Sequence, residues 1–178
     1  SFFYDNSGRR TKTTDATGDW IIAYDDGGRL TRTTQPPSSK TVESYYDAVG
    51  NRTKMIDPDN GSTTYDFDAG NRLTRLTNPD LQITTWLYDA INRTTKQSNH
   101  NGTYATYAFD SGGRLTKLEN RKSDASLLSS FDYLHDSAGN RTQMSEDLSG
   151  NSSTVTWKYD TTYRLTSSSQ RSTLCRRS

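Results

Sequence analysis

The chain is 178 residues long (20.0 kDa), carries 22 basic and 21 acidic residues, and is only 29% hydrophobic. This balanced charge gives no positive surface for nucleic acid, so we expect no nucleic-acid partner. No apolar run approaches the roughly 18 residues of a membrane-spanning helix, so we expect no membrane span. A single cysteine, Cys175, excludes an internal disulfide. The chain nevertheless has 11 Tyr, 5 Phe and 3 Trp, an aromatic content that argues against disorder.

An internal repeat of eight copies organises the sequence. Each copy has an aromatic residue or His directly before an Asp, at intervals of 20 to 26 residues. These ring positions are Tyr4, Tyr24, Tyr46, Phe67, Tyr88, Phe109, His135 and Tyr159. An Arg follows each Asp after four or five residues, as in the pairs Asp25 and Arg29, Asp68 and Arg72, and Asp110 and Arg114. The near-constant spacing predicts one structural unit per copy.

The residue before each Arg indicates a tight turn. It is Gly or Asn in seven of the eight copies, for example Gly28, Asn71 and Gly113. Because Gly and Asn adopt positive φ most readily, we expect a left-handed residue and a hairpin turn in each copy. Tyr163 is the exception, which predicts that the last turn differs or is strained.

The segments that flank each turn have the pattern of β-strands. Aromatic residues alternate along them, as in Tyr65 and Phe67, and Thr is frequent. Turn-forming Pro, Gly, Asn and Asp separate one hairpin from the next. The best helical candidate, 123–131, is short and is interpreted as loop or strand. The predicted fold class is all-β: tandem antiparallel hairpins form a continuous twisted strip or open shell over residues 2–166, followed by a polar C-terminal tail at 167–178.

Two kinds of contact are expected to hold such hairpins together. The aromatic pair of one copy should lie on the pair of the next copy, since cross-strand ring contacts stabilise sheets. Each Asp should accept hydrogen bonds from backbone N–H groups of its turn, and each Arg should pair with an Asp in its own or an adjacent copy. These roles are structural rather than catalytic.

The repeat resembles the YD-repeat family, also called Rhs repeats, in which a copy reads approximately Y-D-x-x-G-R-L-T. Matching segments are YDDGGRLT at 24–31, FDAGNRLT at 67–74, FDSGGRLT at 109–116 and the variant YDAVGNRT at 46–53. The resemblance spans about residues 2–166. His135, Asn92, Tyr163 and the longer spacing after 109 depart from the family pattern.

The resemblance implies a β-strip that spirals into a hollow shell. In bacterial polymorphic toxins and insecticidal toxin complexes such shells enclose a toxic segment, and related repeats in teneurins and wall-associated proteins lie at the cell surface. We therefore expect a secreted or surface protein, of bacterial origin. Its expected partners are neighbouring YD repeats, identical copies or an encapsulated polypeptide.

Other chemistry has weaker support in the sequence. Asp57, Asp59 and Asp68 lie close together, but Pro58 interrupts them and Gly61 stands at the fifth place, where a calcium loop needs Gly at the sixth. A turn is the favoured interpretation, and no metal site is expected.

Histidine and cysteine give no sign of catalysis. His100 lies in a linker, His135 occupies a ring position, and Cys175 is interpreted as an incidental thiol in a polar tail. We therefore expect no catalytic residue, no cofactor and no enzyme activity.

The leading functional hypothesis is a structural scaffold, either a wall fragment or a self-associating unit of an Rhs-like assembly. Open strips have unpaired edge strands through which copies could join into a filament. The alternative is a cell-surface adhesion module in which Trp86 and Trp157 stack against glycans or a protein partner. The alternative requires rings that face solvent.

Overall fold

The computed structural model describes residues 1–173, so Cys175 lies outside the described residues. Those residues form sixteen β-strands and no helix. The strands are β1 Phe2–Tyr4, β2 Arg10–Asp15, β3 Gly18–Tyr24, β4 Leu30–Gln35, β5 Lys40–Tyr46, β6 Arg52–Ile56, β7 Ser62–Phe67, β8 Leu73–Thr77, β9 Ile83–Tyr88, β10 Thr94–Ser98, β11 Tyr104–Phe109, β12 Leu115–Arg121, β13 Leu127–His135, β14 Arg141–Leu148, β15 Asn151–Tyr159 and β16 Leu165–Thr173. The described residues fall into two compact units, 1–84 and 85–173.

Each unit is a meander of antiparallel hairpins. In the first unit each strand from β1 to β8 pairs with the strand that follows it in the chain. In the second unit the same holds from β9 to β16. The predicted fold class, all-β with tandem antiparallel hairpins, is therefore confirmed. The segment 123–131 forms a turn and the beginning of β13.

Neither unit buries an apolar core. Among the described residues no hydrophobic side chain is fully buried, and the buried side chains are the polar Ser44, Thr63 and Ser130. Side chains alternate between two faces, and we call the face that carries the regularly spaced rings the ring face. There Tyr65 pairs across the hairpin with Leu76, whereas their neighbours Asp66 and Arg75 pair on the opposite face. The sheet of each unit is thus a single layer with one partly apolar face.

The hairpin turns share one backbone geometry. In the second copy the Asp25 amide donates to the Arg29 carbonyl, and the Gly28 amide donates to the Asp25 carbonyl, each at 3.0 Å. The three residues between Asp25 and Arg29 end in a left-handed position, as in a type I turn followed by a bulge. Gly28, Asn71 and Gly113 have φ of 79°, 59° and 82° at this position.

In copies three and seven the left-handed residue is not the one before Arg. It is Gly50 with φ 101° and Gly139 with φ 93°, so assigning it to Asn51 and Asn140 is wrong. These two copies carry Asn at the fourth position after Asp, and their Arg comes one residue later. The geometry is fixed by the distance from Asp, because the Asp carbonyl and amide close the turn.

The last turn has the same shape as the others. The Tyr163 amide donates to the Asp160 carbonyl at 3.0 Å, and Tyr163 has φ 64°. The backbone of the last turn therefore does not differ from that of the other turns, although Tyr163 replaces Gly or Asn there. The predicted strain remains, because a bulky side chain rarely adopts this region.

The turns at the other end of the hairpins reuse this arrangement. In the turn at 57–61, the Asp57 carboxylate accepts hydrogen bonds from the amides of Asp59 and Gly61 at 2.9 and 2.8 Å, and Asn60 has φ 67°. The segment considered for calcium is therefore a turn whose carboxylate faces its own backbone. Within residues 1–173 no group of three His, Cys, Asp or Glu side chains is placed to hold a metal ion.

The C-terminal boundary of the array differs from the predicted one. Residues 167–173, assigned by sequence to a polar tail, continue β16 and pair with β15, for example Ser153 with Ser172. All nine residues of β16 are exposed, which explains why their composition resembles a tail. The array therefore extends past 166 to Thr173.

No helix long and apolar enough to cross a membrane occurs in the described part of the chain.

Replacing Gly28 by Val should lower the free energy of unfolding by about 1–3 kcal/mol, because a β-branched residue would be held at positive φ. A Cβ atom there would also lie 3.2 Å from Nη1 of Arg9. Gly28→Asn is the matched control, since Asn71 occupies the equivalent position. Urea denaturation measures both variants, and a neutral Gly28→Val would refute the turn assignment.

Candidate assembly site

The Arg of each turn is bound first within its own copy. Oδ1 of Asp25 accepts the Arg29 amide at 2.9 Å, and Oδ2 accepts Arg29 Nε at 2.7 Å. The same two contacts join Asp68 with Arg72 and Asp110 with Arg114. The carboxylate therefore fixes both the turn backbone and the direction of the guanidinium group.

The same Arg then reaches the next copy. Nη1 of Arg29 donates to the Asp47 carbonyl at 2.8 Å, and its guanidinium lies 4.9 Å from the centre of the Tyr46 ring. The Tyr46 hydroxyl donates back to the carbonyl of Leu30, which follows Arg29, at 2.9 Å. We call this set of contacts the inter-copy clamp. It links the ring, the Asp and the Arg of the repeat signature in one interaction.

The inter-copy clamp recurs in both units. Arg9 lies over Tyr24 at 4.9 Å, and Arg93 lies over Phe109 at 4.4 Å. Arg114 donates to the Asp136 carbonyl at 2.7 Å. The hydroxyls of Tyr24 and Tyr159 likewise donate to carbonyls of the preceding copy. Recurrence at this spacing makes the clamp the element that sets one hairpin beside the next.

Two copies use Asn in place of the clamp Arg. Nδ2 of Asn51 donates to Oδ2 of Asp47 and to Oδ1 of Asn71, each at 2.9 Å. The Arg that follows, Arg52, lies 5.1 Å from the centre of the Tyr65 ring instead. Asn140 contacts Asp136 in the same way. Counting four residues from the Asp, rather than searching for the next Arg, would have identified these substitutions in the sequence.

Sequence reasoning missed the cation as the packing partner of the rings. The sequence predicts that the rings lie on one another, and the structure adds a guanidinium group 4.4 to 4.9 Å from the ring centres of Tyr24, Tyr46 and Phe109. The signal was available, since each ring position after the first is preceded by a cation about one repeat earlier.

Trp86 and Trp157, proposed for glycan stacking, are half-buried.

His135 is an imperfect substitute at its ring position. Its side chain has no hydroxyl that could donate a hydrogen bond to a carbonyl of the preceding copy. Its buried Nδ1 has no hydrogen-bond partner among the described residues. Phe67 and Phe109 also lack the hydroxyl. The clamp is therefore incomplete in these copies.

Hydrogen bonds within the turns lower the pKa of several carboxyl groups. The pKa of Asp25 and of Asp110 lies below the usual 3.8, chiefly because the backbone amide of the clamp Arg donates to the carboxylate and then because its side chain does. The Thr162 hydroxyl and then the Arg164 amide lower the pKa of Asp160 to about 2. The ionised form is thus favoured by the folded turn.

The protein should lose stability in acid. A folded pKa below 3.8 means that the stabilisation is fully present above about pH 4 and declines as pH falls through the folded values, which reach about 2 for Asp160. Thermal unfolding between pH 6 and 2 should show a falling midpoint. Asp25→Asn removes one titrating group and should flatten the profile; an unchanged slope would contradict the linkage.

Removing a clamp Arg should cost far more than removing a surface Arg. Arg29→Ala should lower the free energy of unfolding by about 1–3 kcal/mol through lost charged hydrogen bonds and the ring contact. Arg32 is the matched control, because it lies three residues away and approaches Glu43 only at 3.8 Å. Arg32→Ala should cost less than about 1 kcal/mol. If denaturant titrations gave the two variants the same loss in free energy of unfolding, the clamp would not stabilise the protein more than a surface ion pair does.

His135→Tyr should stabilise the protein by about 0.5–1.5 kcal/mol, since it supplies a hydroxyl for the preceding copy and removes the unpaired nitrogen. His135→Phe is the control that removes the nitrogen without adding the hydroxyl. Differential scanning calorimetry should rank Tyr above Phe above His. A Tyr variant that melts no later than Phe would exclude the hydroxyl contact.

Comparison with known proteins agrees with this geometry. The RHS Repeat family matches residues 24–61, 46–82 and 88–123, which is more than half of the chain. No curated protein matches the sequence of this chain.

Solved structures share the fold at low sequence identity. The TcdB2-TccC3 structure without its hypervariable C-terminal region is 18% identical, with a TM-score of 0.77, over 93% of this chain and 10% of that one. A Tc holotoxin pore from Photorhabdus luminescens is 14% identical, with a TM-score of 0.55, over 96% of this chain and 15% of that one. The chain thus spans only about a tenth of the first structure. By its sequence match and its clamped hairpins, the chain belongs to the RHS repeat family.

Proposed function

We propose that the chain is a wall segment of a larger secreted or cell-surface Rhs-like assembly, with a structural rather than a catalytic role. The observation that carries the proposal is the inter-copy clamp, which recurs in both units at Arg9, Arg29, Arg93 and Arg114. A wall needs this property, because each added copy extends the surface without requiring a new core.

The two faces of the sheet suit a wall. The ring face is partly apolar, and within each unit no second layer of the described residues lies over it. The opposite face carries charged pairs such as Lys117 with Asp132 and Arg32 with Glu43. We infer that the ring face is directed toward an enclosed polypeptide or neighbouring repeats, and that the charged face is directed toward water.

A non-catalytic role is supported by the engagement of the carboxylates. The Asp side chains of the turns accept hydrogen bonds from their own backbone and from the clamp, so they are already committed to the fold. Within residues 1–173, no copy departs from this pattern in a way that would create an acid–base pair, which requires two groups with different environments.

Fractionation of cells that produce the tagged protein tests this role. We expect the chain outside the cytoplasm or at the surface, in particles much larger than the 20.0 kDa chain. Clamp variants such as Arg29→Ala and Arg114→Ala should lose assembly in proportion to their loss of stability, whereas Arg32→Ala should assemble normally. A cytoplasmic protein that elutes as a single chain would refute the proposal.

Glycan adhesion is the second candidate. An open groove of about 470 Å³ adjoins Trp157 and is also lined by Asp136, Asn140, Asp160 and Tyr163, which offer acceptors and donors beside rings. A glycan array distinguishes the candidates. Adhesion at this groove predicts binding that Trp157→Ala abolishes and that Trp20→Ala, at a half-buried Trp outside the groove, leaves intact. Trp86, the other ring proposed for stacking, does not line this groove, so Trp86→Ala tests a separate stacking position. An array without binding would favour the wall.

A further inference from the structure

Several asparagines of the chain stand two residues before a Ser or Thr, in the pattern Asn-x-Ser/Thr. None of them has Pro at the middle position, and they are Asn51, Asn60, Asn92, Asn101, Asn140 and Asn151. This pattern marks asparagines that can accept a carbohydrate on Nδ2 when the segment lies at the surface. The fold separates these positions, because an Nδ2 that is already bound within a turn is not free to carry a sugar.

Two of the asparagines are held by the inter-copy clamp turns. Nδ2 of Asn51 donates to Oδ2 of Asp47 at 2.9 Å, and Nδ2 of Asn140 donates to Oδ2 of Asp136 at 2.9 Å. Both asparagines occupy the clamp position, four residues after the Asp that closes the turn. A carbohydrate on either Nδ2 would replace a charged hydrogen bond that orders the turn.

Asn92 lies directly before a clamp Arg. The middle residue of its pattern, Arg93, contacts Asp89 at 2.6 Å and lies 4.4 Å from the centre of the Phe109 ring. A transferase that bound residues 92–94 would have to displace Arg93 from both contacts. The fold therefore disfavours a carbohydrate at Asn92.

Asn101 lies at the other end of the hairpins, in the turn between β10 and β11. The residue is exposed, and its Oδ1 accepts hydrogen bonds from the amide and the hydroxyl of Thr103 at 3.1 and 2.7 Å. Nδ2 of Asn99 donates to the same hydroxyl at 3.0 Å. These contacts fix Asn101 through its carbonyl oxygen and bring it against the hydroxyl of the pattern. They leave its Nδ2 without a partner among the described residues.

The two remaining positions lack part of this arrangement. Asn60 is exposed, but within residues 1–173 no hydrogen bond joins its side chain to Ser62. Asn151 is also exposed, but the hydroxyl of Ser153 donates to Oε2 of Glu146 at 3.2 Å. Asn101 thus combines exposure, an unbound Nδ2 and direct contact with its hydroxyl.

We propose that Nδ2 of Asn101 is an acceptor for an N-linked carbohydrate. The donor is a sugar whose C1 carries a diphosphate. The bond from Nδ2 to C1 forms and the bond from C1 to the diphosphate oxygen breaks. The diphosphate leaves with the electron pair, and one Nδ2 proton passes to a base of the transferase. The proposal goes beyond the wall role and is compatible with it, because a sugar at this turn leaves the inter-copy clamps intact.

Transfer to the folded protein tests the proposal. The full chain is incubated with a soluble asparagine glycosyltransferase and nucleotide-activated glucose, and fragmentation mass spectrometry locates the added hexose. Peptides 46–56 and 96–106, each with its Asn at the centre, give the rates of Asn51 and Asn101 without the fold. Asn101 should react in the chain nearly as fast as in its peptide. Asn51 should react about tenfold more slowly in the chain, since its hydrogen bond to a carboxylate must first break.

Variants of the same turn show that the pattern is responsible. Asn101→Gln should abolish the modification of this turn, and Thr103→Ala should do the same although Asn101 is kept. His100→Ala is the matched control, because it changes an exposed residue of the turn outside the pattern and should leave transfer unchanged. Circular dichroism shows that each variant remains folded.

The chain recovered from producing cells provides the second measurement. We expect a carbohydrate on Asn101 of the extracellular or surface fraction, and none on Asn51 or Asn140. An unmodified Asn101 in that fraction, or equal slowing of Asn101 and Asn51 by the fold, would overturn the proposal and leave the wall role intact. Failure of the wall role would instead appear as a cytoplasmic single chain, whatever the rates of transfer in vitro.

Discussion

The structure depends on one side chain being held twice. The clamp Arg is fixed by an Asp four residues earlier and then contacts the ring and carbonyl of the following copy. The first contact orients the second, because the carboxylate occupies Nε and leaves Nη1 directed along the array. This arrangement converts a local turn into a rule for placing the next hairpin.

Such a rule explains how the protein stays ordered without a buried apolar core. A lone hairpin is marginal in water, and a single-layer sheet gains little from burial. The chain compensates with main-chain pairing along each strand and with an Asp–Arg ion pair in six of the eight copies. Its stability should therefore be distributed over many similar interfaces, as in other repeat proteins. The consequence is sensitivity to any change that alters the spacing between Asp and Arg, and to protonation of the carboxylates.

The variant copies show how far the rule can be relaxed. Asn51 replaces the Arg with a shorter donor that still contacts its own Asp, and it finds Asn71 instead of a ring. Tyr163 takes the left-handed position that Gly or Asn holds elsewhere, and the turn keeps its hydrogen bonds. The Asp is the constant of all eight copies, since it alone bonds to the turn backbone and to the residue at the clamp position.

The sequence by itself determined the fold class, the eight copies, the hairpin and the identity of Gly28, Asn71 and Gly113 as turn residues, because each depends on contacts within a few residues. It did not determine what packs on the rings, since an Arg and a ring about seventeen residues apart become neighbours only when two hairpins pair in register. For the same reason the segment 167–173 could be recognised as part of β16 only from its pairing with β15. All residues of β16 are exposed, so this segment lacks the alternating apolar residues by which a strand is recognised in a sequence. The tertiary structure alone decided the inter-copy clamp and the shifted role of Arg52, because these depend on distances between copies that the spacing of residues along the chain does not specify.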